Sequence, residues 1–383
     1  MSLVRDAMIY LDNAATTFKK PDSVLHAVKK CIKKYSANPG RSGHSISLSA
    51  SELLYDTRCA VVSLFNYQNP ENVVFTMNAT YALNMAIKTL INRKCHVIIS
   101  DREHNSVLRP LKILSDTLEI EYSVYNSRAN NVYHEIESHI REDTYAIIST
   151  LASNVTGEKI PLFLLSELKR KHGLLLILDA SQAAGHIPID LGAAEFDAFI
   201  APGHKALMGI MGVGFCIFNK SPEVSFIEGG SGSESRSEYM PNELPESMEA
   251  GTVPLPAIAS LKAGIEFIKM KHVECIERRL NILMKKCTEM LRDIDGITVY
   301  GDENGILSFN ICGMPAEEVG RRLSEKKIAV RAGLHCAPLA HKSIGTYESG
   351  CVRASFSYFN TEKEVDCFIS ALKNVKSDLN WEL

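Results

Sequence analysis

The chain has 383 residues, a formal net charge of -3 and 23% charged side chains, a balance that lacks both the basic stripe of a nucleic-acid binder and the acidity of a solvating tail. Its length and 45% hydrophobic content suffice for a large core divided between two domains, and the expected ligand is a small molecule. The ten cysteines come no closer in sequence than Cys275 and Cys287, so no CxxC zinc or redox unit exists and reduced thiols of a cytoplasmic protein are expected. Residues 1–10 lack the pattern of a signal peptide, and no run reaches the roughly 20 apolar residues of a membrane span.

In chain order, Val24, Leu25, Val28 and Ile32 fall at helical spacing, and Leu53, Leu54, Val61 and Leu64 repeat the pattern. From residue 73 onward short apolar runs at 73–75, 97–99, 146–148, 174–178, 198–200 and 213–217 alternate with helical stretches. That alternation predicts an α/β fold with a largely parallel sheet between helices. Residues 228–256, which include Gly229-Gly230-Ser231-Gly232-Ser233, read as a long ordered loop. Helices near 257–270 and 274–291 and strands near 297–300 and 306–311 then form a smaller α+β unit. The expected division is a large domain over 21–256 and a small one over 257–383 that also takes in residues 1–20.

In open sheets of this kind ligands sit beyond the carboxyl ends of the strands. Asp179 closes one apolar run and Lys205 follows another, in Ala201-Pro202-Gly203-His204-Lys205. A lysine there can form a Schiff base with an aldehyde, and an aspartate can keep a pyridine nitrogen protonated, the two demands that pyridoxal phosphate makes of a protein. Both residue types also end strands simply as solvated polar groups. Asn78-Ala79-Thr80 leads from a strand into a helix, so backbone N–H groups and the Thr80 hydroxyl face an anion; the alternative is an ordinary helix cap. His104 follows the run at 97–99, where an imidazole can stack on a ring or move protons.

The ordered series Tyr10-Leu11-Asp12-Asn13-Ala14-Ala15-Thr16-Thr17, Asn78-Ala79-Thr80, Glu103-His104, Ser153-Asn154, Asp179-Ala180-Ser181-Gln182, Gly203-His204-Lys205, Glu249-Ala250-Gly251-Thr252 and Arg331-Ala332-Gly333-Leu334-His335-Cys336 resembles the class V aminotransferase superfamily of pyridoxal-phosphate fold type I. Within it, the chain is similar to cysteine desulfurases of the group that includes selenocysteine lyases. The resemblance implies a mainly parallel seven-stranded sheet and pyridoxal 5'-phosphate as cofactor. Lys205 would carry the cofactor, Asp179 pair with its ring nitrogen and His104 stack on the ring. Gln182 and Asn154 would face its phenolic oxygen, while Ala79, Thr80 and His204 meet the phosphate. Thr252 resembles a residue that reaches the phosphate of a second subunit, which implies a homodimer. Arg41 and His44 match a segment bordering the neighbouring site, and Asn13, Asn154 and Arg353 complete the substrate side, with the planar fork of Arg353 on the carboxylate.

Relatives carry Ser or Thr where this chain has Pro202, so one phosphate donor is missing and weaker cofactor retention is expected. Cys336, in a glycine-bounded stretch read as a mobile loop, is implied to attack the sulfur of L-cysteine, keep it as a persulfide and release alanine. Arg331, His335 and Arg353 are the charges expected to favour its thiolate. Only residues 337–352 separate Cys336 from Arg353, a short loop suited to delivery to a dedicated sulfur-acceptor protein or to use of a small selenium or sulfur substrate. Selenocysteine or cysteine sulfinate as substrate, a class V aminotransferase, and a non-catalytic scaffold of the same fold stay open as alternatives.

Overall fold

The computed structural model describes residues 8–40 and 42–379. Its centre is a seven-stranded sheet ordered Val73–Thr76, Gly214–Phe218, Ala198–Pro202, Leu175–Asp179, Thr144–Thr150, His96–Ser100, Glu121–Tyr125. Gly214–Phe218 runs antiparallel to both neighbours and the remaining pairs are parallel. The sheet is therefore mainly parallel, as expected, and six of its strands bring their carboxyl ends to one edge.

His96–Ser100, Ala198–Pro202 and Gly214–Phe218 are buried along their whole length, and Thr144–Thr150 and Leu175–Asp179 beyond their first residues, because helices cover both faces. Successive residues divide between two cores: Ile98, Ile147, Leu176, Leu178 and Phe199 point to one side, Val97, Ile99, Ile148, Ile177 and Ile200 to the other. Helices Ala79–Leu90 and Asn105–Leu118 fill the second side with Leu83, Met85, Val107 and Leu111. Leu165 and Leu168 of Leu162–His172 and Ile258, Leu261 and Ile265 of Leu255–Lys271 fill the first.

A second, antiparallel sheet is ordered Arg331–Gly333, Cys351–Ser355, Ile306–Ile311, Ile297–Glu303. Helices Val273–Arg292, Ala316–Glu325 and Glu362–Leu379 pack on it through residues such as Leu280, Val319 and Phe368. The short strand Ile9–Tyr10 pairs in parallel with Ile328–Ala329, and the Asn13 Nδ2 donates to the Ser355 carbonyl at 2.9 Å. The turn after Thr144–Thr150 is pressed against the second sheet: a Cβ on Gly157, at φ +77°, would lie 1.8 Å from the Glu303 carbonyl oxygen. Only glycine permits that backbone approach.

Candidate active site

Two grooves of about 450 and 490 Å³ lie on the surface away from the strand ends. The cavity at the strand ends is smaller, about 140 Å³, and is distinguished by its chemistry. Ala79, Thr80, His104, Asn154, Asp179, Gln182, His204 and Lys205 all line it, so eight of the residues singled out in the sequence meet in one space.

Each arrives by a strand-to-helix or strand-to-turn step. Asn78 caps Ala79–Leu90 by accepting from the Tyr81 N–H at 2.9 Å, which leaves the earlier N–H groups of the turn for an anion. Gly214 lets that turn sit tight on the neighbouring strand, since a Cβ there would come 2.7 Å from the Asn78 carbonyl carbon. The Thr80 hydroxyl is 2.8 Å from Ser106 Oγ, itself 2.8 Å from His104 Nδ1. His104 also caps its own helix, with Nδ1 accepting from the Ser106 N–H at 3.1 Å. The neutral ring therefore carries its proton on Nε2. Burial, opposed by Asp179 and reinforced by Lys205, pushes His104 down to about 4, so it is neutral at pH 7.

Asp179, 3% exposed, accepts the Ser181 N–H on one oxygen at 2.8 Å. Burial lowers Lys205 from 10.5 to about 8, against the pull of Asp179, and its amine makes no hydrogen bond among the described residues. The backbone beneath it is gripped by the N-terminal segment. The His204 carbonyl accepts from the Thr17 N–H at 3.2 Å, Thr16 Oγ1 at 3.2 Å and Lys20 Nζ at 2.8 Å, and the Lys205 carbonyl accepts from Thr17 Oγ1 at 2.7 Å. His204 is held down at about 4 by burial and by the Lys205 and Lys20 charges, and its buried Nδ1 has no partner among the described residues. Pro202, the last residue of its strand, also lines the cavity and offers no donor.

Cys336 is exposed and does not line this space, but its backbone is tied to residues at its border. Its carbonyl accepts the Asn105 N–H at 2.8 Å, and the His335 carbonyl accepts from Asn154 Nδ2 at 2.8 Å. The segment expected to be a mobile loop contains the helix Pro338–Ser343 and is tied at these points. The three charges expected around the thiol reduce to one. Arg331 Nη2 lies 3.9 Å from Sγ, but His335 is 3% exposed, pushed by burial down to about 2 and hence neutral. Arg353 is turned to the Asn154 carbonyl at 2.8 Å and Asp12 Oδ1 at 3.0 Å, with a buried Nε that has no partner among the described residues.

Among the described residues, Asn13, His44, Thr252 and Arg353 also lie outside the cavity lining. Asn13 spends its amide N–H groups on the Tyr10 and Ser355 carbonyls and on Asn360, so it fastens the N-terminal segment and has no N–H left for a substrate. His44 caps Ser45–Leu64, and Thr252 accepts from Asn38 Nδ2 at 3.4 Å; both are exposed. Arg41 falls outside the described residues. Sequence reasoning missed Ser106, which joins Thr80 to His104, Asp12, which partners Arg353, and Lys20. The available signals were Asp12 inside, and Lys20 just beyond, an N-terminal motif already recognised, and a serine two positions after a capping histidine.

A model of the aminotransferase class-V family matches residues 9–368. A probable cysteine desulfurase of Methanothermobacter thermautotrophicus is 32% identical, over 97% of this chain and 96% of the relative. One of Pyrococcus abyssi is 30% identical over 97% and 95%. The solved apo structure of a cysteine desulfurase from Thermococcus onnurineus superposes with a TM-score of 0.88 at 28% identity, covering 98% of this chain and 96% of the other.

Proposed function

The chain belongs to the class V aminotransferase family, and from that premise we propose that it is a pyridoxal-phosphate-dependent cysteine desulfurase that converts L-cysteine to L-alanine and retains the sulfur on Cys336. The observation that carries this reading is the meeting of a lysine amine, a strand-end carboxylate and a helix N-terminus in one cavity, with a cysteine tethered beside it through Asn105. An aminotransferase needs the first three and has no use for the fourth.

The residues present fit the cofactor. The turn at Ala79 and Thr80 and the unpartnered His204 Nδ1 offer donors to a phosphate, Asp179 suits a pyridinium, and Lys205 suits an aldehyde. Asn154 and Gln182 are assigned the phenolic side. When bound, pyridoxal phosphate supplies an electron sink for the charge left at the substrate α-carbon. Lys205 takes the α-proton once its amine is free, and burial keeps a usable fraction uncharged near neutrality. Arg353, backed by Asp12 and the Asn154 carbonyl, holds the substrate carboxylate. His104 is assigned the ring face, and its Nε2–H can only donate there because Nδ1 is committed to Ser106; the substrate sulfur keeps its own proton as it passes to Cys336. The Cys336 thiolate then attacks the substrate sulfur and the carbon–sulfur bond breaks. The sulfur stays on Cys336 as a persulfide and the carbon skeleton, after taking up a proton, leaves as alanine.

The exposure of Thr252 and His44 away from their own cavity supports a homodimer in which they, with Arg41, border the partner's site. The exposed thiol of Cys336 supports transfer to an acceptor protein. No helix among the described residues is long and apolar enough to cross a membrane, and the cytoplasm is the compartment assigned. The test is Cys336→Ala: persulfide and alanine formation from L-cysteine should vanish while the visible absorbance of the bound cofactor persists. Retained turnover of cysteine to alanine would overturn the role of Cys336.

A further inference from the structure

Behind Cys336 runs a buried row of polar groups with no part in the chemistry above. His341 Nδ1 lies 2.7 Å from Thr346 Oγ1, His341 Nε2 lies 3.3 Å from His335 Nδ1, and His335 Nε2 lies 3.4 Å from the Arg331 carbonyl oxygen. Cys351 Sγ stands 4.0 Å from the same His335 Nδ1. His335 is 3% exposed, and His341 and Cys351 are fully enclosed.

The protons in this row follow from its far end. The Arg331 carbonyl can only accept, so His335 carries its proton on Nε2 and its Nδ1 is an acceptor. His341 must then donate from Nε2, and its own Nδ1 accepts the Thr346 hydroxyl. One direction of donation, from Thr346 through His341 and His335 to Arg331, is consistent with these three contacts with both rings neutral. Burial disfavours charge on both rings.

Two histidines and a cysteine with ligand atoms all within 4.8 Å are also a set that can hold zinc. The geometry favours the proton. The ring centroids are 5.5 Å apart, with planes 11° from parallel, against a nitrogen contact of 3.3 Å. The excess is about one ring's width, so the rings meet edge to edge with these nitrogens aimed at each other, as a hydrogen bond requires. A metal instead needs lone pairs converging on a third point, and the nearby Arg331 and Arg353 charges oppose a cation.

His335 and Cys336 have φ of +51° and +57°, two successive non-glycine residues in the left-handed region, an arrangement that persists only where the surroundings impose it. We propose that His341 is a positioning residue, which through its hydrogen bond to His335 fixes the left-handed turn at Cys336 and holds the sulfur at the mouth of the cavity. The kinetic consequence rests on Cys336 being the sulfur acceptor; the geometric one does not.

The holoenzyme is compared with His341→Leu, His341→Gln, whose amide N–H stands where Nε2–H stood, and Thr346→Val. In His341→Leu, single-turnover persulfide formation should fall roughly ten- to a hundredfold, the cost of misplacing a reacting atom, with KM shifted by less than about twofold and cofactor absorbance unchanged. The rate of Cys336 alkylation by iodoacetamide should change several-fold in the same variant. His341→Gln should recover most of both rates, and Thr346→Val should show a smaller loss in the same direction. Unchanged alkylation and turnover in His341→Leu, or equal impairment of the Leu and Gln variants, overturns the proposal. Stoichiometric zinc retained by the wild type and lost in His341→Leu overturns it in favour of a metal site. If the wild type forms no persulfide at all, the desulfurase reading fails while the alkylation rates still decide the positioning role.

Discussion

The surroundings of Lys205 and those of Cys336 are built by opposite means. Around Lys205 the groups come from the ends of parallel strands and the first turns of helices, so their placement follows from the topology of one sheet. Around Cys336 there is only a three-residue strand, a six-residue helix and a row of side-chain hydrogen bonds, and the backbone sits in a region that side chains avoid. The first region is held by regular structure and tolerates loss of single polar contacts. The second depends on each of its contacts.

The contrast breaks most clearly at Lys205. Lys205→Ala should lower alanine formation roughly a hundred- to ten-thousandfold, the range for loss of a proton-transferring group, yet leave Cys336 alkylation at the wild-type rate. Altered alkylation would mean that the regions are not separate. The same lysine gives a pH signature in the cofactor-free protein. Its folded value of about 8 lies below the ordinary 10.5, so folding opposes its charge fully below pH 8, progressively less from there to about 10.5, and not above. Lys205→Met should therefore melt higher than the wild type at pH 7, with the gain fading at alkaline pH.

Asp12 spans the two regions by pairing with Arg353. Asp12→Asn should cost about 1.5–3 kcal/mol, the worth of a hydrogen bond to a charged group. The full penalty of a broken buried pair is not expected, because the Asp12 side chain keeps 21% of its exposure. Denaturant unfolding measures this, and KM for cysteine should move with it. The smallest effect sharpens the cofactor side alone: Pro202→Ser restores a hydroxyl beside His204 and should tighten cofactor binding by about 1.5 kcal/mol, roughly tenfold in Kd. Equal cofactor affinity by fluorescence titration would show that the missing donor is not felt.

The same contrast governs what could be read from the sequence. The inner strands were legible because burial on both faces writes an unbroken apolar run. The edge strand Glu121–Tyr125 was not, since Glu121, Tyr122 and Val124 face solvent and the run is interrupted. Arg331–Gly333 and Cys351–Ser355 were missed as well, being short and carrying arginines. Lys205, Asp179, Thr80 and His104 stood out by their place after apolar runs. Ser106 and Asp12 act through partners that only the folded chain reveals. His335 was read as a charge because sequence records its type and not its burial, and Asn13 was read as facing substrate although its amide is consumed by Ser355 and Tyr10.

The grip of Thr16, Thr17 and Lys20 on the carbonyls of His204 and Lys205 bears on how the chain matures on the ribosome. Residues 9–20 emerge long before the lysine they hold, and their other anchors, Ile328, Ala329 and Ser355, emerge long after it. A chain folding as it is synthesised can form the central sheet while the strap hangs unattached. The strap that grips the lysine is fastened at both ends only after those later anchors have folded.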